Sequence, residues 1–208
     1  MIYSDQYVIG SAQRDLLRQL LRAKVRLVEP GPFQLTETGA HCMGLLALCE
    51  SDQINAVVYG LEHKGAFDTF PTLHVELVED YSGEWSGFIP RANRLLQYLK
   101  GSGAVSCDPT VVDVHIVQDQ VKWRSVESGA VNIITTDVGL QFTLSNGAAL
   151  LVIAAESEAG LLHTVYTTNH QEVVQWLSNS GIHRTWMIID SPDCPVVLEA
   201  ATRTTLPV

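Results

Sequence analysis

A chain of 208 residues that is 46% apolar and 17% charged is too rich in core-forming residues for a disordered protein, and it can form one domain or two. Its net charge of −10 disfavours nucleic acid as a partner, because an acidic surface repels the phosphate backbone. The longest apolar run, residues 148–155, is far shorter than the roughly 20 residues of a membrane-spanning helix. With no secretion-signal pattern at residues 1–15, the sequence predicts a cytoplasmic protein that binds no membrane.

The first predicted element is a helix over residues 11–28. Ser11 is a suitable N-cap, because its hydroxyl can accept a backbone N–H of the first turn. An apolar face and a basic stripe follow at helical spacing, formed by Leu16, Leu17, Leu20 and Leu21 and by Arg14, Arg18 and Arg22. A basic stripe on an acidic body indicates a solvated helix face, with a docking surface as the alternative.

From Phe33 onward the pattern changes to short runs that are typical of strands. Apolar or alternating stretches separated by turn residues predict strands up to residue 79. Residues 89–103, IPRANRLLQYLKGSG, then predict a helix, because Pro90 suits a first helical turn and a Ser-Gly pair can end a helix.

The second half of the chain repeats this order. Residues 112–116 alternate between apolar and polar side chains, as a half-buried strand does. Asn146-Gly147 predicts a tight hairpin within residues 139–155, since both residues tolerate the positive φ angles of such a turn. Residues 168–181, TNHQEVVQWLSNSG, predict a helix capped by Thr168 or Asn169.

These patterns predict an α+β fold with antiparallel sheets and helices packed on one face. Strand, strand, strand and helix occur at about residues 43–103 and again at 139–181, and both helices end in Ser-Gly. One interpretation is two similar βββα halves after the N-terminal helix, divided into residues 1–103 and 104–208. The alternatives are one continuous domain and a chance likeness between two amphipathic helices.

The histidines and cysteines give no metal or cofactor prediction. Four cysteines and seven histidines match no zinc spacing, so no metal is expected and free thiols are the simplest interpretation. His74 and Glu76 have the His-x-Glu spacing of zinc deaminases, but the required Pro-Cys-x-x-Cys is missing. Phosphate-binding glycine loops are missing as well, which predicts that the protein uses no cofactor.

The segment VELVEDYSGEW, residues 75–85, is the main candidate for a functional surface. It combines carboxylates with two large aromatic residues, namely Glu76, Glu79, Asp80 and Glu84 with Tyr81 and Trp85. It can be a solvated loop, a pair of general acid and base groups, or a surface for a basic protein, and between the two functional interpretations the run of like charges favours the surface. Trp123, between Lys122 and Arg124, is predicted to belong to a second interaction edge, or else to an ordinary alternating strand.

This profile of a small, acidic chain with aromatic residues and no catalytic motif resembles that of the bacterial immunity proteins, which block a cognate toxin. The resemblance implies a non-catalytic protein that binds a basic partner protein and neutralises it. An excess of Arg over Lys, nine to four, is the reason for expecting a bacterial source.

Two other functions are compatible with the sequence. A hydrolase or transferase would use His74, Glu76, Asp113 and His115 in a site between the two halves. A structural or assembly subunit would form a homodimer through the edge of the hairpin at residues 139–155.

Overall fold

The computed structural model of the chain describes residues 1–22, 24–28, 33–35, 39–43, 45–50, 53–64, 69–76, 110–154, 162–184, 186 and 196–208. The helix predicted at residues 89–103 lies outside these residues. The described strands are, in chain order, β1 (Ile2–Tyr7), β2 (Lys24–Val28), β3 (Phe33–Leu35), β4 (Gly39–Met43), β5 (Leu45–Glu50), β6 (Gln53–Lys64), β7 (Thr69–Glu76), β8 (Val111–Ser125), β9 (Val131–Leu144), β10 (Ala149–Ala154), β11 (Leu162–Thr167) and β12 (Val196–Pro207). The described helices are α1 (Ser11–Gln19), α2 (His170–Leu177) and a 3-10 helix (Asn179–Arg184).

The strands form two sheets, and the fold is broadly α+β as predicted. The large sheet has the order β12–β8–β9–β10–β11–β4–β3, and β1 pairs with β9 next to β10. The small sheet has the order β2–β5–β6–β7. All these pairs are antiparallel except β1 with β9, which is parallel. Strands from residues 1–103 and from 104–208 therefore share the large sheet.

One face of the large sheet packs against α1 and the small sheet. Leu17 and Leu20 from the end of α1 and Leu73 and Val75 of β7 are buried in a common core with Leu140 and its neighbours on β9 and β10. Apolar residues at helical spacing on α1 and at alternating positions on β7 supply this core.

The opposite face of the large sheet is covered by α2 and the 3-10 helix. Val173 and Trp176 of α2 pack on Leu151 and Ile153 of β10, and Ile182 of the 3-10 helix packs in a second cluster over β8 and β9. The prediction that the helices pack on one face is therefore wrong. Because β10 is apolar at successive positions, both its faces can be buried, and each needs a covering element.

The first helix is shorter than its sequence pattern suggests. It ends at Gln19, Arg22 adopts a positive φ of 76°, and residues 24–28 form β2, which pairs with β5. The predicted cap at Ser11 is also wrong, because Gly10 occupies the N-cap position and Gln13 Oε1 accepts its backbone N–H at 2.7 Å. Backbone pairing in the small sheet thus takes over the residues that would extend the helix.

Two other local predictions are confirmed. Gly147 has a φ of 82° in the turn between β9 and β10, so the Asn146-Gly147 hairpin is present. Asn169 caps α2, and its side-chain oxygen accepts the backbone N–H of Gln171 at 3.0 Å.

The strand part of the predicted repeat is seen in the described residues, whereas the two βββα halves are not confirmed, because the helix predicted at residues 89–103 lies outside them. β5–β6–β7 and β9–β10–β11 are both three-stranded antiparallel meanders, and α2 follows the second.

The glycine of the Ser-Gly pair after α2 is explained by close packing. A Cβ at Gly181 would lie 2.2 Å from the carbonyl oxygen of Trp176 and 2.8 Å from Nη1 of Arg203.

Replacing Gly181 by alanine is therefore expected to lower the free energy of unfolding by about 3 kcal/mol, because backbone and a buried guanidinium must move. Gly129→Ala is the control for a crowded Cβ, since Gly129 has a positive φ of 67°, which Gly181 does not, but has no atom within 4 Å of a built Cβ. Gly129→Ala should lower the free energy of unfolding by only about 1 kcal/mol, because alanine is strained at a positive φ. Urea denaturation measures both, and equal losses would show that the space around Gly181 is not tight.

Candidate functional site

The face of the large sheet that α2 and the 3-10 helix cover contains a buried ion pair between β8 and β12. Arg203 Nε donates to Asp119 Oδ1 and Nη2 donates to Oδ2, both at 2.7 Å. Both side chains have no exposed surface. A bidentate pair of this kind is among the strongest charge-assisted contacts in proteins, and burial of the two charges is tolerated because each is paired.

The ion pair also joins the sheet to the elements that cover it. Nη1 of Arg203 donates to the carbonyl oxygen of Trp176 at 2.8 Å, near the end of α2. Trp186 Nε1 donates to Asp119 Oδ2 at 2.9 Å. The Asp119 carboxylate and the Arg203 guanidinium are thus hydrogen-bonded on several sides, and their arrangement holds a structure together rather than presenting a group to solvent.

Trp123 belongs to this same core, which corrects its prediction as an interaction residue. It is 4% exposed, and its ring contacts that of Trp186 edge-on, with centroids 6.1 Å apart. Lys122 and Arg124 point to the other face, as expected for a strand with alternating faces.

A second buried carboxylate, Asp137, lies on the face of the sheet that α1 covers. It accepts the backbone N–H of Ile9 at 2.7 Å and Gln118 Nε2 at 2.8 Å, and Nη2 of Arg14 lies 3.7 Å away. Burial raises the pKa of the Asp137 carboxyl, although these hydrogen bonds and the charge of Arg14 act in the opposite direction. Asp137 therefore attaches the segment between β1 and α1 to β9.

The position of Asp137 depends on a β-bulge. Val117 pairs with Gly139 and Gln118 pairs with Asp137, so Val138 has no partner on β8. An extra residue of this kind changes the direction of the side chains that follow it. The bulge also lies where β9 changes neighbours from β10 to β1.

Glu199 forms an ion-pair cluster with Lys122 and Arg124 on the face of the large sheet opposite to Trp123. Lys122 Nζ lies 2.8 Å from one carboxylate oxygen, and Arg124 contacts the other. Hydrogen bonds from Lys122 and Arg124 lower the pKa of Glu199. Two cations thus share one carboxylate here.

The residues predicted for a catalytic site lie in two different sheets. Asp113 and His115 are on β8, where His115 Nδ1 is 3.5 Å from Asp113 Oδ2 at the protein surface. His74 and Glu76 are on β7 of the small sheet, and their side chains lie outside the described part of the structure. A carboxylate beside an imidazole can orient it as a base, so Asp113 and His115 are the part of this set that has a described contact.

The acidic segment lies mostly outside the described residues. Glu76 ends β7, and Glu79, Asp80, Tyr81, Glu84 and Trp85 follow beyond the part that the structure describes. The hairpin of β9 and β10 has strands on both sides, because β8 and β1 flank β9 and β11 flanks β10. The homodimer through this hairpin stays a prediction, and these pairings give it no free edge.

Sequence reasoning did not identify Asp119, Arg203 and Asp137. Asp119 did have a detectable signal, since it shares alternating positions with Val117, Val121 and Trp123. A charged residue on the apolar face of a strand is expected to have a buried partner. Nothing comparable marks Arg203, because its neighbours on β12 are mostly small or polar.

No family model, curated protein or solved structure matches this chain. Among the described residues, no three His, Cys, Asp or Glu side chains are grouped to hold a metal ion. No helix in the described part of the chain is long and apolar enough to cross a membrane.

Asp119→Ala is expected to lower the free energy of unfolding by about 3–5 kcal/mol, because it leaves the Arg203 guanidinium buried without a counter-ion. Asp15→Ala is the matched control, since it breaks the exposed pair of Asp15 with Arg18 and should change stability by at most about 1 kcal/mol. Adding Arg203→Met to Asp119→Ala should restore part of the loss. Guanidinium chloride unfolding measures all three, and losses of the same size for the two single variants would contradict the structural role of the pair.

The two shifted carboxyls predict opposite pH effects on stability. Burial raises the pKa of Asp137, so its contribution is full below the pKa of the unfolded chain and is lost as the pH rises through the folded pKa. Glu199 has a lowered pKa, so its contribution is present above the unfolded pKa and is lost as the pH falls through the folded pKa.

Thermal unfolding from acidic to neutral pH should therefore separate Asp137→Asn from Glu199→Gln. As the pH rises, the stability of the unsubstituted protein relative to Asp137→Asn should fall, and its stability relative to Glu199→Gln should rise. If the two stability differences changed in the same direction with pH, burial would not be the dominant influence on the pKa of Asp137.

Proposed function

We propose that the protein is a non-catalytic binding protein of the immunity or inhibitor type, which binds a basic partner protein through its acidic segment at residues 76–85. The observation that supports this proposal is the use of positive charge within the chain. Five of the six lysine and arginine side chains that the structure describes are in ion pairs with the chain's own carboxylates, namely Arg14, Arg18, Lys122, Arg124 and Arg203.

Because most of the described cations are already paired within the chain, they do not compete with a basic partner for the remaining carboxylates. The basic stripe of α1 is a clear case, because Arg14 faces Asp137 and Arg18 pairs with Asp15. The net charge of −10 is then free to attract a basic protein over a distance, which raises the rate of encounter. Tyr81 and Trp85 would supply the apolar anchors that such an interface needs.

The described buried charges also favour binding over catalysis. Asp119 and Arg203 are fully occupied with each other and have no exposed surface. Asp113 and His115 support the alternative of a hydrolase or transferase, but the exposed Asp113 and the half-buried His115 lack the shielding that usually tunes catalytic groups.

The combined variant Trp85→Ala, Glu79→Lys and Asp80→Lys should abolish binding of the partner while the thermal unfolding transition stays unchanged. The tagged protein is used to capture proteins from a lysate of its source organism at low and high salt, and bound proteins are identified by mass spectrometry. A single stoichiometric basic protein should be retained at low salt and lost at high salt, because salt screens charges over about 10 Å at 0.1 M.

The matched control carries Asp113→Lys and Glu127→Lys, which make the same change in net charge at exposed positions on β8 and the turn after it. It should retain the partner, since the local acidic surface and not total charge is proposed to determine binding. Loss of binding in both variants would show that total charge, and not the local acidic surface, determines binding. Capture of no protein at either salt concentration would contradict the proposal.

A further inference from the structure

The turn between β9 and β10 contains a chemically reactive pair of residues, Asn146 and Gly147. Asn146 is the only asparagine of the chain that is followed by glycine. Because glycine has no side chain to shield its backbone nitrogen, this nitrogen can reach the side-chain amide of the asparagine before it. An Asn-Gly sequence is for this reason especially susceptible to deamidation.

Deamidation of Asn146 proceeds through a cyclic imide. The backbone nitrogen of Gly147 loses its proton to hydroxide and attacks Cγ of Asn146, so that an N–Cγ bond forms. The Cγ–Nδ2 bond then breaks, and Nδ2 takes up a proton from water and leaves as ammonia. A further water molecule opens the imide at one of its two carbonyl groups, which gives aspartate or isoaspartate. Water and hydroxide are thus the only reagents.

In the folded protein, hydrogen bonds hold all three atoms that must move in this reaction. The attacking N–H of Gly147 donates to the carbonyl oxygen of Leu144 at 2.9 Å. The amide of Asn146 is held at both ends, because Nδ2 donates to Tyr166 Oη at 2.7 Å and Oδ1 accepts the backbone N–H of Ala148 at 3.1 Å. Ring closure requires a free amide and a free nitrogen, so the turn must open first.

The contact with Tyr166 differs from the other two, because it comes from outside the turn. Tyr166 lies on β11 opposite Leu150 of β10, and it is only 1% exposed. Its ring belongs to the core between the two sheets, so the hydroxyl keeps its position when the turn moves. The leaving group of the reaction, Nδ2 of Asn146, is therefore attached to the most rigid part of the molecule.

We propose that Asn146 is a site of spontaneous deamidation and that the Tyr166 hydroxyl is the positioning group that slows the reaction in the folded protein. Deamidation adds a negative charge to the turn. The isoaspartate product also adds a carbon to the main chain between Leu144 and Ala148, whose N–H and carbonyl oxygen are hydrogen-bonded at 2.9 Å. Both of these residues are buried in the core, so the modification destabilises the hairpin at the centre of the large sheet.

Tyr166→Phe tests the proposal, because it removes the hydroxyl and keeps the buried ring. Tyr3→Phe is the matched control, since Tyr3 pairs with Asn132 at the opposite end of β9. Each purified protein is incubated in its folded state at mildly alkaline pH, and the unsubstituted protein is also incubated in concentrated urea. Digestion and mass spectrometry measure the fraction of residue 146 that has been converted from amide to acid, and thermal unfolding confirms that each variant is folded.

Asn146 should react slowly in the folded unsubstituted protein and in Tyr3→Phe, and much faster in urea. Tyr166→Phe should raise the rate in the folded protein about fivefold, which is the effect of one ordinary hydrogen bond on an opening equilibrium. Deamidation at Asn179, which precedes Ser180, should stay unchanged in the same samples.

Three results would overturn the proposal. Equal rates for Tyr166→Phe and Tyr3→Phe would show that the hydroxyl does not restrain Asn146. A rise at Asn179 of the same size as at Asn146 would show that Tyr166→Phe loosens the whole fold. A folded protein that reacts as fast as the chain in urea, or a chain in which Asn146 does not react even in urea, would show that the turn is not a controlled site of deamidation.

Discussion

The packing of α2 and Trp186 on the large sheet depends on the buried pair of Asp119 and Arg203. It joins an inner strand to an edge strand, and its remaining hydrogen-bonding capacity is directed at Trp176 and Trp186. A fully buried pair contributes little net stability compared with apolar residues of the same size. Its effect is to favour one arrangement, because any other position of α2 or Trp186 would leave part of a buried charge without a partner.

The same principle operates on the opposite face. Asp137 accepts the backbone N–H of Ile9 and faces Arg14, so a buried carboxylate fixes the N-terminal segment to β9 as Asp119 fixes Trp186 to β8. Apolar contacts between a helix and a sheet are non-directional and allow sliding. Directional bonds to a single carboxylate on each face remove that freedom.

The distribution of charge connects this architecture to the proposed binding of a basic protein. Cations in the described part of the chain are mostly paired within the chain, which leaves the acidic excess available to attract a basic protein.

The sequence alone determined the elements whose causes are local. The positive φ of Gly147 in the hairpin turn and the side-chain cap at Asn169 depend on residues within a few positions, and both are present in the structure. Only the tertiary structure decided that α1 ends at Gln19 and that Trp123 is buried. Alternation shows that a strand has two faces, but which face is covered depends on elements distant in sequence, here the 3-10 helix and Trp186. The partner of Asp119 is 84 residues away for the same reason, since contacts between distant strands leave no periodic pattern in the sequence.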